Sequence, residues 1–291
     1  MNVSSPFWGE FFGTLVLITL GNGVVAGALL SRSKAQNAGW ISITAGWGLA
    51  VFAGVAVAIA LGDKDAHLNP AVTVASVIMT GGASRLLTYI PAQLLGGFCG
   101  AILVWMHYKP HWAATENADL KLACYCTSPA IRKLWWNFFS EALATFVLIL
   151  VSTALFSRRI APGGLAPGLG PLLVGALVWA IGLSLGGSTG YAINPARDFA
   201  PRLAHSILPI AGKKSSEWDY AWVPVLGTHR GRDSCRNLHP RISYCLILYR
   251  RVAFSRIRFK EKTPTPADIL RWHAPRAVSH MEGFYEDAGK T

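Results

Sequence analysis

The sequence predicts an all-α membrane protein built as an inverted repeat, with three membrane spans and one half-helix in each half. Composition is the first observation: 52% of the 291 residues are hydrophobic and only 14% are charged, values that few soluble domains show. The second is a series of apolar stretches long enough to cross a bilayer. The third is a set of motifs that occurs twice along the chain. Together they favour a membrane transport protein.

Five stretches qualify or nearly qualify as membrane spans, since a bilayer core needs about 20 apolar helical residues. Two of them contain one acidic residue each, Glu10 and Glu141, and the other three contain no Asp, Glu, Lys or Arg. No cleavable signal pattern precedes the first stretch, so we expect it to remain as a membrane anchor. The stretches are residues 7–30, 40–61, 86–107, 134–156 and 170–187.

An internal repeat relates the two halves of the chain. The first half begins GEFFGTLVLI and continues to HLNPAVT, and the second begins SEALATFVLIL and continues to AINPARD. The Asn-Pro-Ala triplets follow the two glutamates by 59 and 53 residues. Three spans per half would turn the second half upside down relative to the first, as in transport folds with inverted repeats. This symmetry predicts a sixth span that begins near Trp218.

Each Asn-Pro-Ala triplet predicts the start of a short helix. Proline is accepted at the first helical position, and the asparagine before it can cap the helix. The apolar run after Pro70 is too short to span, so it predicts a half-helix that enters from one side, with a counterpart after Pro195 from the other. Irregular backbone at that depth must be buried in protein or lined by water, so the two starts are expected to meet in a pore. The triplets are Asn69, Pro70, Ala71 and Asn194, Pro195, Ala196.

HLNPAVT and GYAINPARDFAPR, set in repeated three-span halves, resemble the major intrinsic protein family of water and glycerol channels. The resemblance covers about residues 5–226 and implies an aquaporin-like channel domain over residues 1–226, with repeats at about 5–107 and 134–226. It also implies one pore per subunit and four associated subunits in the cell membrane. No cofactor and no nucleic acid are expected as partners.

By the same resemblance, the narrowest constriction of the pore is formed by Trp47, Gly182, Tyr191 and Arg197. Gly182 opens space beside two aromatic side chains. A linear polyol can place its carbon-bound hydrogens on aromatic faces and its hydroxyls on Arg197. An arginine inside a membrane segment is costly, which indicates function even without the resemblance. Glycerol is therefore the expected solute, with some water permeability.

Further residues agree with the glycerol-conducting subfamily or support the pore. Asp198, Arg202 and the insert-like loop KPHWAATENADLKLACYC match that subfamily. Glu10 and Glu141 are interpreted as buried acceptors that hold loop backbone near the pore, and His67 as a packed loop histidine. The opposed helix N-termini would place positive potential at the pore centre, which repels cations. We expect the pore to exclude ions and protons.

Other interpretations stay open at this point. A secondary transporter also uses inverted repeats and broken helices, but it would need mid-membrane acids to carry a coupling ion. A water-selective channel is a second possibility, and Trp47 and Tyr191 could instead be interfacial aromatic residues. A disulfide or metal site at Cys124 and Cys126 is a minor alternative. Because no nucleophile and base pair, phosphate loop or metal cluster stands out, an enzyme is not predicted.

The C-terminal segment, residues 227–291, differs from the rest of the chain. It carries 13 Lys+Arg and 6 Asp+Glu, more than half of the net charge of +12. A basic segment can bind anionic lipid or nucleic acid, but the alternating YRRVAFSRIRFK is short for that role. A sixth span should continue for about 20 residues beyond Pro224, yet the next residues are GTHRGRDSCR, whose insertion would cost several kcal/mol.

We expect the reading frame to have shifted near Gly227, with a naturally divergent tail as the alternative. Read one base later, the codons that overlap His229-Arg230 and Asp233-Ser234 can encode only Ile or Thr. The codon that overlaps Cys235-Arg236 can encode only Ala or Val, whichever synonymous codons the gene uses. A corrupted sixth span would leave a basic tail without a selected fold and a product that lacks the helix closing the pore wall. The alternative to a working channel is then a non-functional truncated channel without its sixth helix.

The gene sequence tests this expectation. After Leu226, an alternative frame should encode an apolar run of about 20 residues, the length that a bilayer requires. An alternative frame that is strongly polar, or that stops early, would show that the tail is a natural one.

Overall fold

The computed structural model describes residues 5–227, which form nine helices and no strand; residues 222–227 begin a further helix. The all-α fold class is thereby confirmed for this part of the chain. The helices are α1 (Pro6–Leu29), α2 (Gly39–Ala60), α3 (Pro70–Thr80), α4 (Ser84–His107), α5 (Lys109–Ala114), α6 (Ala118–Ala123), α7 (Leu134–Leu155), α8 (Leu169–Leu185) and α9 (Pro195–Ile207).

Four helices, α1, α2, α4 and α7, are long and apolar enough to cross a membrane. Each begins and ends within two residues of a predicted span. The fifth predicted span, α8, has 17 residues and a length of about 25 Å. It begins after Gly168, whose φ of 80° starts the helix abruptly, and Gly186 ends it.

The element order repeats as the sequence predicts. In the first half, the short helix α3 lies between the spans α2 and α4. In the second half, the short helix α9 lies between α8 and the helix that starts at residue 222. The small helices α5 and α6 belong to the connection between the halves.

The connection between the halves is folded rather than open. Trp112 and Tyr125 are both buried, with ring centroids 5.5 Å apart. The ammonium of Lys121, also buried, donates to the carbonyl of Ala211 beyond α9. Cys124 and Cys126 are free thiols, so the disulfide interpretation is wrong. Burial raises the pKa of both thiols, because the thiolate would lose its hydration.

Close packing between spans depends on glycines at the crossing points. A Cβ atom on Gly13 of α1 would lie 2.8 Å from the carbonyl oxygen of Gly54 on α2, and one on Gly54 would lie 2.6 Å from that of Gly13. Gly48 of α2 and Gly175 of α8 are related in the same way, at 2.8 and 2.6 Å. Small residues let helix backbones approach in a membrane, where dispersion contacts rather than water drive helices together.

The helix that begins at residue 222 packs on α7. The Trp222 and Phe138 rings are stacked with centroids 6.0 Å apart. A Cβ atom on Gly227 would lie 2.9 Å from the Cβ atom of Glu141. The helix predicted as the sixth span therefore starts at residue 222, close to the predicted position near Trp218. Its expected interruption after Leu226, and the tail that follows, lie outside the described residues.

The glycine contact between α1 and α2 generates a stability prediction. Gly13→Ala should lower the free energy of unfolding by about 1–3 kcal/mol, because the added methyl group overpacks the crossing. Gly23→Ala, also in α1, is the matched control, since its Cβ atom would have no neighbour within 4 Å. The control should be neutral or stabilising, because alanine favours helix over glycine. Unfolding in detergent micelles measures both variants, and equal effects would contradict the assignment.

Candidate functional site

A cavity of about 650 Å³ runs along the inner face of α2. Trp47, Val51, Val55 and Ile59 line it at intervals of four residues, and residues four apart share one face of a helix. Twelve residues of helix rise about 18 Å, which is more than half of a bilayer core of about 30 Å. The cavity therefore has the extent of a channel segment rather than of a local pocket.

The two predicted helix starts meet in this cavity. Asn69 caps α3 and Asn194 caps α9, and in each case the side-chain oxygen accepts from the backbone two residues ahead. The Asn69 amide donates to the carbonyl of Ile193 at 2.9 Å, and the Asn194 amide donates to that of Leu68 at 2.8 Å. Each asparagine thus joins its own helix to the opposite half. The second N–H of each amide is free to donate to a solute in the cavity, which both residues line.

The chain before each asparagine is held in a left-handed conformation. Ala66 and Leu68 have φ values of 44° and 51°, and Tyr191 and Ile193 have values of 40° and 43°. Such conformations cost about 1–3 kcal/mol per residue and persist only where the surroundings impose them. The same alternation stands at the same distance from both asparagines, which is the internal repeat expressed in the backbone.

Two buried glutamates impose this conformation. Glu10 accepts from the backbone N–H groups of His67 and Leu68 at 2.6 and 2.8 Å. Glu141 accepts from those of Ala192 and Ile193, both at 3.0 Å. Hydrogen bonds to a charged acceptor are stronger than neutral ones. The structure thus brings both glutamates to the loop backbone, in the arrangement expected from the sequence.

The first half adds partners that the sequence did not indicate. Gln93 of α4 donates to Glu10 and to the hydroxyl of Thr73, both at 2.8 Å. His67 contacts the same hydroxyl through Nδ1 at 3.2 Å and packs against Tyr89. His67 lies in the cavity lining as well, so it is packed and also exposed to the solute path. No spacing in the sequence relates Gln93 to Glu10, which lies 83 residues earlier.

One end of the cavity is formed by Trp47, Tyr191 and Arg197. The guanidinium carbon of Arg197 lies 4.1 Å from the ring centroid of Trp47, a cation–π contact. The indole N–H of Trp47 and the hydroxyl of Tyr191 are buried without a hydrogen-bond partner among the described residues. The site therefore combines a fixed positive charge with two aromatic rings and two free polar atoms.

Gly182 lies behind this group rather than in the cavity lining. A Cβ atom on Gly182 would lie 2.8 Å from Cζ and 2.9 Å from the hydroxyl oxygen of Tyr191. The space that the glycine opens is thus occupied by the Tyr191 ring. The structure brings all four predicted constriction residues together, but Gly182 contributes by admitting Tyr191.

Asp198 and Arg202 form a buried ion pair beside Arg197, with Nε to Oδ1 at 2.9 Å. Asp198 also accepts from the backbone and hydroxyl of Thr127 at 2.8 and 2.7 Å. Arg202 donates in addition to the carbonyls of Thr127, Ser216 and Glu217. Buried pairs are stable only when such further bonds satisfy both partners. The pair anchors the outer loops to α9, a connection that the sequence did not reveal.

An ion pair lies near the other end of the cavity. Arg85, at the start of α4, contacts Asp65 at 2.7 Å and donates to Ser76 of α3 at 3.3 Å. Asp65 and Ser76 line the cavity, together with Lys64 and Met79. No group of three or more His, Cys, Asp or Glu residues suited to a metal ion occurs within residues 5–227.

Comparison with known proteins supplies the context for this site. The family model described as Major intrinsic protein matches residues 2–231. A "Probable glycerol uptake facilitator protein" of Thermotoga maritima is 52% identical over 224 residues, which are 77% of this chain and 93% of the relative. A "Glycerol uptake facilitator protein" of Streptococcus pneumoniae is 52% identical over 227 residues, with the same two coverages.

Among solved structures, the aquaglyceroporin from Plasmodium falciparum is similar with a TM-score of 0.72 and 29% sequence identity. The match covers 85% of this chain and 99% of that chain.

Proposed function

Since this chain belongs to the major intrinsic protein family and is an integral, multi-pass membrane protein, we propose that it is a passive channel for glycerol and similar small neutral solutes. The relatives named as glycerol uptake facilitators support this solute. The proposed location is the cell membrane.

The constriction carries the proposal. Glycerol has hydroxyl groups along one side and carbon-bound hydrogens along the other. Arg197, the Trp47 indole N–H and the Tyr191 hydroxyl provide polar atoms at one point of the path, and the two rings provide apolar faces. In this assignment Asn69 and Asn194 donate hydrogen bonds to the glycerol hydroxyls further along the path. The side chains of Val51, Val55 and Ile59 on α2 form the apolar wall.

The same features support some water permeability and the exclusion of cations. The N-termini of α3 and α9, which carry partial positive charge, both face the middle of the cavity, and Arg197 adds a full positive charge. A cation would have to lose its hydration against these charges. Asp198 and Arg202 support the site by holding the loops around Arg197.

A coupled transporter is not favoured by the acids in the spans. Within α1, α2, α4, α7 and α8, the only acidic residues are Glu10 and Glu141. Glu10 and Glu141 each accept from two backbone N–H groups. Binding and release of a coupling ion at either carboxylate would therefore compete with the hydrogen bonds that hold the loop.

We propose a homotetramer in the bilayer. Apolar side chains on the outer faces of the spans support contact with lipid or with other subunits, because Leu49, Leu87 and Trp135 are 62%, 83% and 75% exposed. The distribution of charge gives no separate reason to assign a nucleic-acid partner to the channel part.

The division into a channel domain of residues 1–226 and a shifted tail of residues 227–291 is also a proposal. The family match ends at residue 231, and a helix begins at residue 222. Two glycerol facilitator relatives are covered over 93% of their length, which leaves only a short part unmatched.

The transport prediction is that the full chain in proteoliposomes conducts glycerol above the lipid background. Stopped-flow light scattering measures the swelling, with an impermeant sugar and empty vesicles as controls. Flux should not saturate at modest concentration or follow an ion gradient, because no coupling site exists in this assignment. Glycerol flux at background level from folded protein would overturn the proposal for this product. If only a variant with a restored apolar sixth span conducts glycerol, the loss of conduction in the original chain is due to its C-terminal segment.

The selectivity prediction uses Gly182. Gly182→His should lower glycerol permeability by roughly tenfold or more and water permeability much less, because the side chain needs the space of the Tyr191 ring and narrows the constriction. Gly187→His is the matched control, since a Cβ atom there would have no neighbour within 4 Å. The two permeabilities are measured on the same vesicles. Equal loss of both solutes in Gly182→His, or an equal effect of Gly187→His, would show that the constriction is misassigned.

A further inference from the structure

Trp40 is an aromatic residue at the start of α2 that contacts the constriction from outside the cavity. It does not line the cavity, and its side chain is 39% exposed. Its indole N–H donates to the carbonyl of Gly182 at 3.1 Å. Trp135, by contrast, is 75% exposed, and its ring packs on Phe138 of its own helix.

The acceptor of this hydrogen bond is a carbonyl at the end of a helix. Because α8 ends at Leu185, its last four carbonyls, which begin with that of Gly182, have no partner within the helix. Trp40 supplies one of the missing donors from a different helix. The bond therefore fixes the end of α8 relative to the start of α2.

The Trp40 ring also supports Tyr191 directly. The two rings meet edge to face, with centroids 5.9 Å apart and an interplanar angle of 80°. A Cβ atom on Gly186 would lie 2.9 Å from Cζ2 of Trp40, so the glycine turn after α8 lies against the same indole. Tyr191 is thus held between the backbone of Gly182 on one side and the indole of Trp40 on another.

The geometry of α2 makes this contact relevant to the width of the constriction. Trp47 lies seven residues after Trp40, about two turns along the same face of the helix. The helix therefore supplies one lining residue of the constriction, Trp47, and contacts a second, Tyr191, through Trp40. The close approach of Gly48, the residue after Trp47, to Gly175 fixes α2 against α8.

We infer that Trp40 is a positioning residue that sets the width of the constriction, by capping the end of α8 and holding the Tyr191 ring, which lines the constriction together with Trp47. The inference rests on the proposed glycerol channel, in which Tyr191 faces the solute. Its consequence is a role in discriminating among polyols by size, without contact between Trp40 and the solute.

The test compares Trp40→Ala and Trp40→Phe with the original full chain in proteoliposomes. The measured quantity is the ratio of erythritol to glycerol permeability. Trp40→Ala loses the hydrogen bond and the ring contact, so the ratio should rise by roughly three- to tenfold. Trp40→Phe keeps a ring at this position, so its permeability ratio should rise less. Trp135→Ala, an exposed tryptophan on α7, is the matched control and should leave the ratio unchanged.

A purely structural role would lower all permeabilities in proportion and leave the ratio unchanged, and this result would overturn the inference. The same holds if Trp135→Ala changes the ratio as much as Trp40→Ala.

A second measurement does not depend on flux. Hydrogen–deuterium exchange of the full chain in nanodiscs should show faster exchange of the amides of residues 186–193 in Trp40→Ala, by roughly threefold or more. Unchanged exchange over residues 186–193 would overturn the inference. If the original chain conducts no glycerol, the proposed function fails, and the exchange measurement still decides whether Trp40 holds this segment.

Discussion

The contact on which this structure depends is a buried carboxylate that accepts two successive backbone N–H groups. Glu10 makes it before Asn69, and Glu141 makes it before Asn194. The hydrogen bonds to these acceptors offset the strain of the left-handed residues in both loops. Without the acceptors, the loop N–H groups would be buried without partners. The helix starts, the asparagine amides and the constriction all take their positions from these two loops.

The two loops are also where the halves are joined. The reciprocal bonds from Asn69 to Ile193 and from Asn194 to Leu68 cross from one repeat to the other. Each acceptor carbonyl belongs to a residue whose N–H is held by a glutamate. Each half thereby stabilises the strained loop of the other half, and this mutual support needs the motif in both halves. The apolar spans outside this centre pack through glycine contacts instead, as at Gly13 and Gly54.

The constriction is a composite of separate parts of the chain. Trp47 comes from α2, Tyr191 from the loop before α9, and Arg197 from the first turn of α9. Their mutual distances follow from contacts made by other residues: Gly182 admits the Tyr191 ring, and the Asp198–Arg202 pair anchors the loops beside Arg197. Selectivity in such a site depends on how the helices are held together, and not only on which side chains face the solute.

The sequence by itself determined the all-α class, four spans to within two residues, the position of the apolar helix α8 and the two helix starts at Pro70 and Pro195. These features are local: apolar length predicts a span, and an Asn-Pro pair predicts a capped start. The repeat also indicated the acids Glu10 and Glu141, because they stand in matching positions. Only the tertiary structure decided that Gln93 joins Glu10, that Tyr191 fills the space of Gly182, and that Trp40 caps α8. Those contacts join residues distant along the chain, and no local preference encodes which side chains meet once the helices have packed.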